Sequence, residues 1–447
     1  MSFSADAAFV LDRRRSSLAA ALTLFLILAP VAAPGASRAE DPRDAEEREE
    51  PSDPLAFGPV KLGLDSLVRP EAATDFSLGS FSFTPGNDER RILFRLRPSV
   101  TVSPSENLSA RVEGQWYAFY DDKDFSLFSL YQGYVEGVLP GVKGVSLKAG
   151  RQEFVYGSTF LLGADTFYDG LTFDAAKLSW KPAEKFSLDL IGGQYVKKWA
   201  GGIEGKLYGI YAAYTLRETL SVDLYGFRDT GGAGETHVGG EHEMTYSVGT
   251  RLSGRISKNT AFEVEPVYQF GRKNRDGASH NHISAYGGHA DLTIDPPLGR
   301  YPGKIFLSYA YGSGDGNPEE GKFTEFHNPN NDTSIIGDMN VIGELGGLTV
   351  GSVAASGLQV FTAGGGVDLT EKLNLSLDGH YFRTNKVPAG FSKEIGVETN
   401  LIFTYKIKES ISVLLSGNRF FTGDFFKDAA GSGKDIHYVY AQLQATF

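Results

Sequence analysis

Arg91, Arg95 and Arg97 share one parity with Ser99 and Thr101, while Ile92, Phe94, Leu96, Pro98, Val100 and Val102 share the other. Guanidinium groups set side by side do one kind of chemistry well. Each stays charged at any working pH and offers a planar fork of donors that fits a carboxylate or phosphate. The next segment repeats the arrangement: Arg111, Glu113, Gln115 and Tyr117 on one parity, Leu108, Ala110, Val112 and Trp116 on the other. Farther on, Arg251 and Arg255 share a parity within 244–256, and Glu263, Glu265 and Gln269 share one within 260–271. Gathered on one surface, these groups would bind anions weakly and repeatedly. They would equally form cross-strand salt bridges that stiffen a wall without choosing a solute.

Alternation with period two requires strands, and the strands here must form a barrel. The last thirteen residues, 435–447, place Val439, Ala441, Leu443 and Ala445 on one face and Tyr438, Tyr440, Gln442, Gln444 and Thr446 on the other, ending on Phe447. One apolar face, one hydrogen-bonding face and a terminal aromatic ring are the form of a closing strand in an outer-membrane β-barrel. Short polar turns such as Ser105-Glu106-Asn107, Ala183-Glu184-Lys185, Arg217-Glu218-Thr219, Ser257-Lys258-Asn259, Thr370-Glu371-Lys372 and Lys408-Glu409-Ser410 each lead into an alternating segment. The other connections, at 156–168, 229–243, 271–281, 313–347, 385–392 and 422–434, are longer and rich in Gly, Asn and charge. The pattern predicts an all-β, single-chain antiparallel transmembrane barrel of about eighteen strands, with tight periplasmic turns and long external loops. Its first strand is expected at 76–84, with 55–67 competing. An arginine on the lipid side costs about 2–4 kcal/mol at the bilayer midplane, so Arg91, Arg95 and Arg97 must point into the lumen. A barrel of this width holds water there.

The amino-terminal end fits export. Arg13-Arg14-Arg15 precedes the apolar run 18–33, and Ser37-Arg38-Ala39 offers small residues at a cleavage site. The expected organisation is a signal peptide (1–39), an acidic periplasmic segment (40–72) and the barrel (73–447). Residues 40–53 hold eight acids and two arginines, about half of the net charge of -12. The 31 Phe, 21 Tyr and 54 Gly suit strands, aromatic belts and loops, and the absence of Cys excludes disulfides and thiolate metal sites. A mean hydropathy of -0.20 is compatible with a barrel, since half of each strand faces water. An acidic pI near 5.3 without a basic stripe speaks against nucleic acid.

Leu147-Lys-Ala-Gly-Arg-Gln-Glu-Phe-Val-Tyr-Gly157, Phe160-Leu-Leu-Gly163, Thr172-Phe-Asp-Ala-Ala-Lys-Leu178, Ser313-Gly-Asp-Gly316 and Phe420-Phe-Thr-Gly-Asp-Phe-Phe426 together resemble the alginate-export (alginate porin) family, from about residue 88 onward. The resemblance implies a monomeric outer-membrane barrel with a basic lumen for an anionic polysaccharide and loops partly closing both ends. It places Arg151, Glu153 and Asp174 among the pore-lining residues, although Arg151 falls on the outward parity of its strand. The sequence departs from the family's basic pattern: Thr172 and Lys177 flank Phe173-Asp174, and acidic lumen candidates rival the basic ones.

The expected function is thus a channel for a polar, anionic, alginate-like saccharide, with a general small-solute porin as the alternative. The expected partners are outer-membrane lipid, the solute and a periplasmic export machine. Loop 313–347 is the candidate gate. Asp315, Asn317 and Glu319 alternate oxygens that could hold Ca²⁺, but no full calcium loop follows, and an ordinary polar loop is favoured. His237, His242, His280 and His282 fall in expected loops, where two ligands do not make a metal site. No nucleophile-elbow, zinc-protease or phosphate-loop motif is present, so neither an enzyme nor a cofactor is expected.

Overall fold

A computed structural model describes residues 56–120, 125–196, 205–230, 244–275, 278–317 and 321–447. Eighteen long antiparallel strands are present among them. They are β1 Val60–Ser77, β2 Ser82–Ser105, β3 Leu108–Tyr120, β4 Phe125–Val138, β5 Val145–Gln152 and β6 Phe173–Ala183. Next come β7 Phe186–Tyr195, β8 Lys206–Arg217, β9 Leu220–Asp229, β10 Met244–Ser257, β11 Thr260–Arg275 and β12 Ala278–Ile294. The last six are β13 Tyr301–Gly312, β14 Val353–Thr370, β15 Leu373–Lys386, β16 Glu394–Lys408, β17 Ile411–Thr422 and β18 Ile436–Thr446. Each pairs with its neighbours in sequence, and β1 pairs with β18 (Asp65↔Thr446, Glu71↔Tyr440), so the sheet closes. The expected barrel and strand number are both found.

The expected start is not. Residues 76–84 contain the turn between β1 and β2, and the first strand lies thirteen residues earlier than the expected barrel boundary at 73, at Val60. Asp65, Arg69 and Glu71 disguise it, because its inward face carries charge instead of small polar groups, and Pro70 interrupts the apolar run on its outward face. The signal peptide and residues 40–55 lie outside the described residues. The expected loop at 271–281 is largely strand, since β11 runs to Arg275 and β12 begins at Ala278.

Parity sorts the two faces as expected. Leu96, Val100, Leu108, Val112, Leu224, Leu377 and Leu401 are exposed on the outside, while Arg91, Arg95, Arg97, Glu113 and Gln115 are buried within. Most turns on one rim have two residues; those on the other include 153–172 and 313–352. These two long connections do not stand outside the barrel as expected. They fold into it. Phe154, Phe160 and Leu162 from the first, and Phe326, Ile336, Met339, Ile342 and Leu345 from the second, join Tyr195, Tyr211, Phe227, Phe382 and Phe420 of the wall in one apolar cluster. The lumen at this height is therefore packed, in contrast to the water-filled cylinder that strand number alone implies.

The outward face sets a measurable depth profile. Leu224→Arg, in the middle of β9, should destabilise the barrel by about 2–4 kcal/mol in liposomes, and Leu216→Arg, beside the short-turn rim, by about 0–1 kcal/mol. Equal costs in equilibrium unfolding would show that the assigned outer face is wrong.

Candidate functional site

The inward side of β1 and β2 carries Arg69, Arg91, Arg95 and Arg97. Arg69 donates through Nε and Nη2 to Gln442 Oε1 (2.9 and 2.7 Å), and its guanidinium lies 3.6 Å from the Phe167 ring centroid. Arg91 pairs with Glu71, donates to Leu78 O at 2.7 Å and stacks on Phe119 at 4.0 Å. Arg95 donates to Tyr168 O at 2.9 Å and reaches Asp65 at 3.4 Å. Arg97 donates to Gln115 Oε1 at 2.6 Å and Asp169 O at 3.3 Å, and stacks on Tyr131 at 3.5 Å. Four guanidiniums thus meet two carboxylates, and loop 153–172 supplies backbone carbonyls for the rest. Arg69 Nη1, Arg91 Nη2 and Arg95 Nε have no protein acceptor. Gly170 lets the loop lie this close: its φ is +75°, and a Cβ there would fall 2.3 Å from Tyr131 Oη and 2.8 Å from Arg97 Nη2.

The expected site residues separate into four groups. Arg91, Arg95 and Arg97 face inward as expected, but the loop covers them, leaving each less than a tenth exposed. Glu153 follows the end of β5 and accepts from Tyr131 Oη, which brings it beside Arg97; burial holds its carboxyl above the ordinary range. Arg111 is half-open to the lumen and paired with Glu113 at 3.2 Å, and Arg255 reaches Asp295 at 3.4 Å near the short-turn rim. Arg151 and Asp174 do not line the lumen. β5 runs without a bulge through Arg151, and Phe173 turns inward, so the two side chains meet on the outer face in a bidentate pair of 2.8 and 2.9 Å. Arg69, Glu71 and Asp65 complete the arginine row and were hidden in the strand that charge disguised.

Across the barrel the wall is acidic. Arg251 bridges Asp223 at 3.0 Å and Glu263; His289 Nδ1 meets Asp291 at 2.9 Å and Nε2 meets Glu265 at 3.4 Å. Ser158 of loop 153–172 donates to Glu265 at 2.6 Å. Glu263, Glu265 and His289 could converge on a cation, yet Arg251 and His289 already neutralise these carboxylates. Asp315 instead accepts from the Asn317 backbone at 3.0 Å, which serves its own turn, and Glu319 lies outside the described residues.

The second loop docks on β16. Glu398 Oε1 accepts from the backbone N–H groups of Asp338 (2.6 Å) and Met339 (3.1 Å), and Asn400 Nδ2 links Glu398 to Asp378 at 2.9 and 2.8 Å. Gly337, at φ +92°, permits the contact; its Cβ would stand 2.7 Å from Glu398 Oε2. Burial first, then Asp378 and Glu398, push the Asp338 carboxyl up to about 7, with His380 opposing. In the same loop His327 lies 3.0 Å from both Glu325 and Glu344; burial disfavours its charge, but the two carboxylates prevail and raise it to about 10. The two loops also hold each other, through Gly163 N to Asn330 O at 2.9 Å and Asn328 Nδ2 to Phe160 O at 3.1 Å.

Solved structures with this architecture include several proteins of Pseudomonas aeruginosa, among them the outer membrane protein OprD. OpdQ superposes with a TM-score of 0.58 at 12% identity, over 88% of this chain and 99% of its own. OccK11 (OpdR) gives 0.54 at 13%, over 86% and 96%, and OprD gives 0.52 at 13%, over 86% and 95%. No curated protein sequence matches the chain. The family model described as alginate export matches residues 59–441, which begins at the first barrel strand. With its closed barrel and these neighbours, the chain belongs to the alginate export family and is a channel-forming protein of the Gram-negative outer membrane.

Proposed function

We propose that the protein conducts a polar, anionic saccharide chain passively along the arginine row. The observation that carries this reading is the excess of guanidinium over carboxylate at Arg69, Arg91, Arg95 and Arg97, with N–H groups left over. Uronate carboxylates match these forks, and Phe119, Tyr131 and Phe167 hold the guanidiniums flat from behind. The carbonyls of Tyr168 and Asp169 occupy positions that a solute carboxylate would take, so entry of the solute and withdrawal of loop 153–172 are one exchange. Acceptors replaced one for one give weak, successive sites, which conduction requires. No chemical step is involved. Loop 324–346, docked on Glu398, is the second barrier.

In planar bilayers the wild type should favour anions and be blocked by oligouronates. Arg95→Ala/Arg97→Ala should move the reversal potential toward zero and abolish block; Arg97→Lys should keep the selectivity and weaken the block. Unchanged reversal potentials in the double variant would remove the arginine row from the function. Anion selectivity without oligouronate block would point to a general small-solute porin.

Asp338 makes the second barrier sensitive to pH. A carboxyl raised in the docked state stabilises docking fully below its unfolded value near 3.8, and that contribution is lost as pH rises through about 7. Open probability should therefore rise between pH 5 and 8, as the docking constant falls by up to about a hundredfold, and Asp338→Asn should flatten the rise. A pH profile identical in the variant would place the titrating group elsewhere.

A further inference from the structure

The outer surface of β9–β12 carries a group of basic side chains at and just beyond the aromatic belt on the long-loop rim. Parity puts Arg228, Met244, Arg272 and His282 on this surface, because Phe227, Ser247, Gln269 and Ile283 are the buried, inward residues of the same strands. Cross-strand register aligns them: Met244 faces Arg272, Arg272 faces His282, and His282 faces Lys322 of the two-residue strand Lys322–Phe323. Arg228 joins the group by donating to Met244 Sδ at 3.2 Å. One register step nearer the membrane than Met244, Arg272 and His282 stand Tyr208, Tyr246 and Phe270, the last two stacked at 5.2 Å, as expected of a membrane–water interface; Arg228 sits in that row between Tyr208 and Tyr246 and reaches outward from it.

Three arginines elsewhere on the outer face near this rim are paired: Arg151 with Asp174, Arg383 with Glu394 at 3.3 Å, Arg419 with Asp435 at 2.6 Å. Among the described residues, Arg228, Arg272 and Lys322 have no carboxylate, and Arg228 Nε is buried without an acceptor. Arg272 lies two strands from Arg228 on one side and two from Lys322 on the other, so the three cations are spread along the surface at a spacing that an extended polyanionic headgroup spans. A groove lined by Met244, Tyr246, Phe270, Gly271, Arg272 and His282 opens at the same place. From β9 to Lys322 is four strand spacings, roughly 19 Å, broad enough for a headgroup with more than one phosphate.

We infer that this surface binds a phosphorylated glycolipid of the outer leaflet, with Arg228, Arg272 and Lys322 on its phosphates and the aromatic belt against its acyl chains. The long-loop rim faces outward in an outer-membrane barrel, so a glycolipid of that leaflet is favoured over a glycerophospholipid. The site lies outside the barrel wall and is independent of what the lumen conducts.

The test titrates the detergent-solubilised full barrel with bis-phosphorylated lipid A, its dephosphorylated form, and phosphatidylglycerol, reading bound lipid by native mass spectrometry. Wild type should prefer bis-phosphorylated lipid A over the phosphate-free form by about tenfold or more. Arg228→Gln/Arg272→Gln should lose that preference while single-channel conductance stays the same. Equal retention by the variant, no dependence on phosphate, or equal binding of phosphatidylglycerol would each overturn the assignment. If the variant fails to fold, as judged by heat-modifiable migration, the wild-type lipid series decides the question.

Discussion

A backbone N–H or C=O facing hydrocarbon has no water to bond, so every such group in the wall must be satisfied by a neighbouring strand. Closure of β1 on β18 meets that constraint, and the rest of the structure follows from it. A closed sheet has only two faces. With the outer one committed to lipid, all charge in the strands is forced inward or to the rims. The lumen of an eighteen-strand cylinder therefore collects arginines, carboxylates and histidines at a density that would be unfavourable in a soluble core.

Two in-folded loops resolve that crowding in different ways. Loop 153–172 lends backbone carbonyls to Arg95 and Arg97, where carboxylates are too few. Loop 324–346 lends backbone N–H groups to Glu398, where cations are too few. Each loop thus brings to its wall the partner that the wall lacks, and the apolar side chains of both loops pack together at the centre. Peptide dipoles are weaker partners than ions, which leaves the arginines able to exchange them for a stronger anion.

Period-two alternation made the barrel legible, because inward Arg91, Arg95 and Arg97 between outward Ile92, Phe94, Leu96 and Val100 admit only one reading. The same rule failed at β1, where Asp65, Arg69 and Glu71 break the polar-small pattern, although Leu62, Leu64 and Val68 keep the outward parity. Arg151 illustrates the opposite case. Its parity pointed outward and the structure agrees, whereas family resemblance would have placed it in the lumen. Nothing local in 153–172 or 324–346 distinguishes a loop that stands outside from one that folds in. That depends on the width of the cylinder and on long-range contacts such as Ser158 with Glu265 and Met339 with Glu398.

The hydrogen bonds between Gly163 and Asn330 and between Asn328 and Phe160 join the two loops to each other as well as to opposite walls. Neither loop can leave without exposing the apolar surface of its companion. The two barriers are consequently coupled, and release of either loop from its own wall should loosen the other, so current through one molecule should switch between a few discrete levels instead of grading smoothly.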